Sequence, residues 1–286
     1  MGLDVCDRQH SYVPAIPTDS AGDNRRGRRV NLGTGVVEND WNFAEVVMGG
    51  FNRDIYFDIV RDSLFGGSLT QQQVDGQNFI LEVWATKAAT YDLRWLAYAL
   101  ATTFHETAQT MWPIEEYGKG AGQSYGKVDP ETGQAYYGRG FVQLTWRDNY
   151  ARADRELGFS GDQSCEWHAE NALDPKTAAA IMFRGMAFGW FRPPNQLDVF
   201  FNETVDDPYG AREIINGDKH YVPEWGGGKN VGNIIKGYYE LFKYATNESW
   251  SDFIRPPMPP KPTGLVVRVI APPGVTIIVE SDVGTD

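Results

Sequence analysis

Two cysteines in 286 residues, Cys6 and Cys165, are too few and too far apart for a disulfide framework. Both are expected to be free thiols in a chain made in a reducing cytosol. Histidine is also scarce. His10, His105, His168 and His220 share no metal-ligand spacing, and His105-Glu106 fails as the start of HExxH because Gln109 stands where the second histidine belongs. No metal site is expected. No apolar run approaches the roughly 20 residues that span a bilayer, and Met1 to Arg29 is polar, unlike a secretory leader. Positive charge is short as well: 26 Lys and Arg against 38 Asp and Glu leave a net charge of −12, which argues against a general nucleic-acid binder. Arg25-Arg26-Gly27-Arg28-Arg29 is the local exception and reads as a solvated basic arm. A Gly-rich nucleotide loop is missing too, so neither cofactor nor membrane partner is implied.

What remains is a chain of ordinary apolar content, 42%, with a periodic centre and irregular ends. Residues 1–42 are rich in Gly, Asp, Asn and Arg and read as a polar extension. Residues 43–249 form the main domain, expected to be mainly α. Tyr56, Ile59, Val60 and Leu64 recur at helical spacing and stop at Gly66-Gly67; Thr70 and Gln73 make a capping box for a second helix. Asp92 caps a third, with Leu93, Leu96, Ala97, Leu100 and Phe104 on one face. Pro113 forces that helix to stop with Glu106 in or next to its final turn. Glu115 to Gly140 reads as a long ordered loop or short strands. Helices then resume over Trp146 to Leu157, after Asp174-Pro175, over Pro208 to Asn216, and over Asn230 to Thr246. Residues 250–263 hold a proline-rich linker, and residues 264–286 hold two apolar runs flanking Ala271-Pro272-Pro273-Gly274, a β-hairpin that needs something to dock on, another subunit or a virion protein.

The chemistry lies around the third helix. Cleaving a glycosidic bond takes a protonated carboxyl at the leaving oxygen and an ionised carboxylate that activates water or attacks the sugar. Glu106 suits the first role, because the helix C-terminus and partial burial both disfavour its charged form. Glu115, beyond the helix stop, suits the second, with Glu116 beside it a direct competitor. Gln143, Thr145 and Asn149 carry the neutral hydrogen-bonding groups suited to a positioned water and an N-acetyl sugar. Trp112, Tyr117, Tyr125, Tyr136, Tyr137 and Trp146 supply aromatic faces for stacking. Arg139, between two glycines, reads as holding its loop through a carboxylate or carbonyl, with direct substrate contact as the alternative. Cys165 near His168 lacks an orienting motif for a cysteine amidase.

Ala97-Tyr98-Ala99-Leu100-Ala101-Thr102-Thr103-Phe104-His105-Glu106-Thr107, Glu115-Glu116-Tyr117-Gly118, Tyr136-Tyr137-Gly138-Arg139-Gly140-Phe141-Val142-Gln143-Leu144-Thr145 with Asn149-Tyr150, and Ile214-Ile215-Asn216-Gly217 together resemble the family 19 glycoside hydrolases, and within them the short endolysins of tailed bacteriophages. The resemblance implies a lysozyme-like, α-rich (α+β) fold with a deep cleft, acting on β-1,4-linked N-acetylated sugars. By motif position Glu106 matches the general acid and Glu115 the second carboxylate. Gln143, Thr145 and Asn149 match positions that hold the attacking water or the substrate, and Asn216 lies in the Ile-Ile-Asn-Gly segment. The resulting expectation is a muramidase acting on the glycan strands of bacterial peptidoglycan. It would be held in the host cytoplasm until released to the wall through a separate membrane pore, or packaged in the virion. A chitinase and a virion protein that only binds wall glycan are the alternatives.

Overall fold

The structure, a computed structural model, describes residues 50–87 and 92–250. The expected N-terminal extension, the linker beyond Trp250 and the C-terminal hairpin lie outside the described residues.

The helices begin where short polar side chains can take up the free N–H groups of a first turn. α1 (Arg53–Leu64) opens at Asn52, whose side chain accepts from the Ile55 amide, and closes before Gly66 and Gly67, both at positive φ. Thr70 and Gln73 cap each other reciprocally, Gln73 N to Thr70 Oγ1 at 3.2 Å and Thr70 N to Gln73 Oε1 at 2.9 Å, and so start α2 (Gln71–Lys87). α3 (Leu93–Glu106) starts at Asp92, α4 (Arg147–Leu157) ends on left-handed Gly158, and α5 (Pro175–Ala187) has Asp174 as cap and proline at its first position. A single turn, α6 (Leu197–Phe200), precedes α7 (Val231–Ser249), capped by Asn230. Between α3 and α4 the only named strands among the described residues, β1 (Ile114–Glu115) and β2 (Arg139–Gly140), pair antiparallel, with Glu115 opposite Arg139. No described helix is long and apolar enough to cross a membrane.

α3 is the central element. The single apolar stripe expected from its spacing understates it: every residue from Leu96 to Phe104 is buried, Tyr98, Thr102 and Thr103 included. A helix covered all round sits inside a layer of other helices, and α7 supplies much of that cover. At the end of α3, Phe104 meets Phe65, Tyr238 and Phe242 with ring centroids 5.1, 4.8 and 6.0 Å away. Burying a phenylalanine contributes about 1.5–3 kcal/mol, and here it fixes the helix end that carries Glu106.

The helix expected over residues 208–216 is not formed. The chain makes one 3-10 stretch, Gly210–Ile214, because the Arg212 side chain is drawn inward between two carboxylates.

Candidate active site

Glu106 is the last residue of α3, and its side chain is 9% exposed. Oε1 accepts from Nη1 of Arg212, whose own side chain is 2% exposed. The same guanidinium holds Asp218 with two bonds, Nε to Oδ1 at 2.6 Å and Nη2 to Oδ2 at 2.9 Å. Burial works against the charge on Arg212, yet the Glu106 and Asp218 carboxylates override it and keep the group protonated. Burial likewise opposes the charge on Asp218, and the Arg212 bonds overcome it, holding the carboxyl below its usual range. Asn216 Nδ2 adds a bond to Asp218 Oδ2 at 3.2 Å, so Asn216 braces the partner of Arg212 and does not itself touch Glu106.

His105 precedes Glu106, its ring 6.0 Å from that of Trp225. Burial, and then the Arg212 charge, push its pKa down to about 4 from the ordinary 6.5. The imidazole is therefore neutral at neutral pH, and between pH 6.5 and 4 the unfolded chain binds a proton that the folded chain refuses. Stability must fall as pH drops through that window. Relative to pH 7.5, wild type at pH 5.5 is expected to lose about 1 kcal/mol through this group, or roughly 3 °C in thermal midpoint. His105→Gln should lack that component; equal losses in the two proteins would remove the account.

Between the glutamates the chain turns tightly. Thr107 N bonds Thr103 O, Ala108 N bonds His105 O, Gln109 N bonds Phe104 O, and Thr110 N bonds Thr107 O. Ala108, Gln109 and Met111 all take positive φ. Such backbone costs non-glycine residues roughly 1–3 kcal/mol each and persists only where surroundings impose it. Here α2 imposes it: Gln73 Nε2 donates to Gln109 O at 3.0 Å, and the Met111 carbonyl comes so close to Gly76 that a Cβ there would lie 1.7 Å from it. The six described non-glycine residues at positive φ are these three with Lys119, Gln143 and Trp146, so all fall between residues 108 and 146.

Glu115, at the end of β1, sits in a different environment. Lys119 Nζ approaches Oε2 at 2.7 Å, Tyr137 Oη donates to Oε1 at 2.5 Å, and Arg139 Nε lies 3.6 Å from Oε1. The Lys119 bond, then the Tyr137 bond, with the Arg139 charge adding to them, hold the Glu115 carboxyl below the usual carboxylate range. Arg139 is buried, its guanidinium 3.7 Å from the Tyr137 ring centroid and its Nη1 bonded to Ala135 O at 2.8 Å and Tyr150 Oη at 3.1 Å. Its Nε has no hydrogen-bond partner and lies within ion-pair distance of the Glu115 carboxylate. Glu116 is occupied otherwise: Tyr125 Oη donates to Oε1 at 3.2 Å and the Gly138 amide to Oε2 at 3.1 Å, which ties the 116–138 loop together.

The neutral polar residues expected near water or sugar stand on the β2–α4 connection, Gln143 and Thr145, and in the first turn of α4, Asn149. Gln143, at φ 55°, donates from Nε2 to Ile114 O at 3.2 Å and so links this connection to β1. Thr145 Oγ1 donates to Gln143 O at 2.8 Å, leaving its oxygen free to accept, and Asn149 Nδ2 donates to Thr145 O at 2.8 Å. Arg212, Asp218 and Lys119 escaped the sequence reading. An arginine flanked by Gly210-Ala211 and Ile214-Ile215 was the available signal, since a cation in an apolar stretch needs a buried anion. Among the described residues no His, Cys, Asp and Glu cluster could hold a metal.

No family model matches the chain, and no curated protein matches it. Among solved structures, chitinase C from Streptomyces griseus HUT6037 is similar at 21% identity over 70% of this chain and 94% of that one, with a TM-score of 0.44. A family GH19, Class IV chitinase from Zea mays is similar at 18% identity over 68% and 94%, with a TM-score of 0.38. A bacterial family 19 chitinase is similar at 17% identity over 67% and 94%, with a TM-score of 0.37.

Proposed function

We propose that the chain is a glycoside hydrolase that cleaves the β-1,4-linked N-acetylated glycan of bacterial peptidoglycan, a phage-type endolysin working as a muramidase. In that role it reaches the wall after release through a membrane pore made by another protein. The observation that carries the reading is the unequal housing of two glutamates one clamped turn apart. Glu106 is nearly buried, with Oε1 facing Arg212, so Oε2 is the oxygen available to carry a proton to the leaving glycosidic oxygen. Glu115 is half-buried and held ionised by Lys119, Tyr137 and Arg139, as a base that takes a proton from water must be. The Thr145 oxygen and the Asn149 amide are assigned to that water and to the sugar. Glu116, whose oxygens both pin its own loop, is assigned to shaping the site.

Digesting purified sacculi and chitin in heavy-oxygen water tests this. Hydrolysis leaves one heavy oxygen at each new reducing end; anhydro-muramyl ends without label would mean that the sugar's own hydroxyl attacks, and water activation by Glu115 would be lost as a role. Glu115→Gln is expected to lower kcat on the cleaved polymer by about 10²-fold or more. Chitin cleaved in preference to sacculi would assign the same machinery to a chitinase, and wall binding without products would assign the chain to adhesion or virion assembly.

A further inference from the structure

Of the six aromatic residues that the sequence offers as stacking surfaces, burial removes several: Tyr136 and Tyr137 are enclosed, and Trp112 is half-buried against Phe79. Tyr117, 60% exposed, and Trp146, 39% exposed, both stay open and outside the apolar core, and Trp146 is set apart by its backbone. Its backbone sits at φ 75°, ψ 134°, a region where a Cβ is crowded and glycine alone is at ease. The backbone's own duties there, Trp146 N to Tyr136 O at 2.9 Å and Trp146 O accepting the Asn149 and Tyr150 amides that open α4, would be met by glycine without strain. A large ring kept at such a position without core burial must be held for something other than packing. The ring stands edge-on to Tyr125, centroids 5.1 Å apart at 76°, and Tyr125 in turn donates to Glu116. Trp146 also follows Thr145 directly and shares its strained connection with Gln143.

We infer that Trp146 is a stacking platform for one pyranose ring of the glycan, a specificity-determining residue on the Glu115 side of the site. A β-1,4-linked hexosamine presents a face of axial C–H groups, which the electron-rich face of an indole attracts; its equatorial hydroxyl and acetamido groups point outward to side chains such as Asn149. Neutral sugars suit this contact, since it needs no positive charge from an acidic protein. The inference rests on the glycosidase reading and specifies how that site grips its polymer.

The test is steady-state kinetics on solubilised peptidoglycan glycan strands and on an N-acetylglucosamine hexamer, comparing wild type with Trp146→Ala, Trp146→Gly and Trp146→Phe. Trp146→Ala and Trp146→Gly should raise KM about tenfold with kcat changed less than about twofold, while Trp146→Phe stays within about threefold of wild type. Trp146→Gly should melt no lower than Trp146→Ala, because glycine relieves the backbone that alanine leaves strained. Wild-type KM in the alanine variant would overturn the platform while leaving the hydrolase intact, and so would a fall in kcat alone. A wild type inactive on both glycans would overturn the hydrolase, and the platform with it.

Discussion

Glu106→Gln is expected to lower kcat on the cleaved glycan by about 10³-fold, within the span that positioned general acids contribute, while thermal unfolding changes little. The amide keeps a carbonyl oxygen where Oε1 meets Arg212, and Arg212 retains both bonds to Asp218, so the end of α3 keeps its contacts. What disappears is the only proton this side chain can give. The measurement pairs reducing-end release with a melting curve: a variant that keeps more than about a tenth of wild-type kcat removes Glu106 as the acid, and one that has lost its cooperative melt says nothing of catalysis. In that second case Glu106→Asp, which keeps the acid but withdraws it from Arg212, carries the test. It should fold and retain activity well above the glutamine variant.

Arg212→Met is expected to produce the largest stability loss. Removing one partner from a buried ionic cluster costs roughly 3–5 kcal/mol, because the carboxylates left behind have lost their counter-charge. At 2–4 °C per kcal/mol for a domain of this size, the thermal midpoint should fall by roughly 6–20 °C. The loss should be strongly non-additive. Combining Arg212→Met with Glu106→Gln and Asp218→Asn removes the stranded charges and should recover about half of it. A triple variant no more stable than Arg212→Met would show that the guanidinium acts through shape alone, and a single variant melting like wild type would show that the cluster is solvated and contributes little.

The helical frame was readable because its signals are local. Asn52, Thr70 with Gln73, Asp92, Asp174-Pro175 and Asn230 each satisfy the amides of their own first turn, and a cap two or three residues from its target needs no knowledge of the rest of the fold. The placement of the two glutamates was expected from equally local signals, Glu106 in or next to the final turn of the third helix and Glu115 beyond it; α3 does end at Glu106, and Glu115 stands on β1. What their side chains meet was not local. Arg212 reaches Glu106 across 106 residues of sequence, and nothing in the periodicity of residues 208–216 distinguishes a helix from a 3-10 stretch whose arginine turns inward. The helix end and burial were the terms visible around Glu106; the guanidinium was a third that only the folded chain supplies. Likewise Arg139 read as a loop anchor, and it is one. Its Nε facing Glu115 depends on the β1–β2 register, which pairs residues 24 positions apart.

The clamp on residues 107–111 makes the interval between the glutamates a ruler of fixed length. With the Met111 carbonyl pressed on Gly76 and the Gln109 carbonyl tied to Gln73, an inserted residue would break one of these ties to α2, and a deleted one would pull on β1, which is paired with β2. Variation in chain length is therefore easier to place elsewhere, and the largely exposed stretch from Tyr117 to Gln134 is where the fold leaves room for it. The spacing of Glu106 and Glu115 is set by the scaffold; the exposed stretch beyond them is free of that constraint.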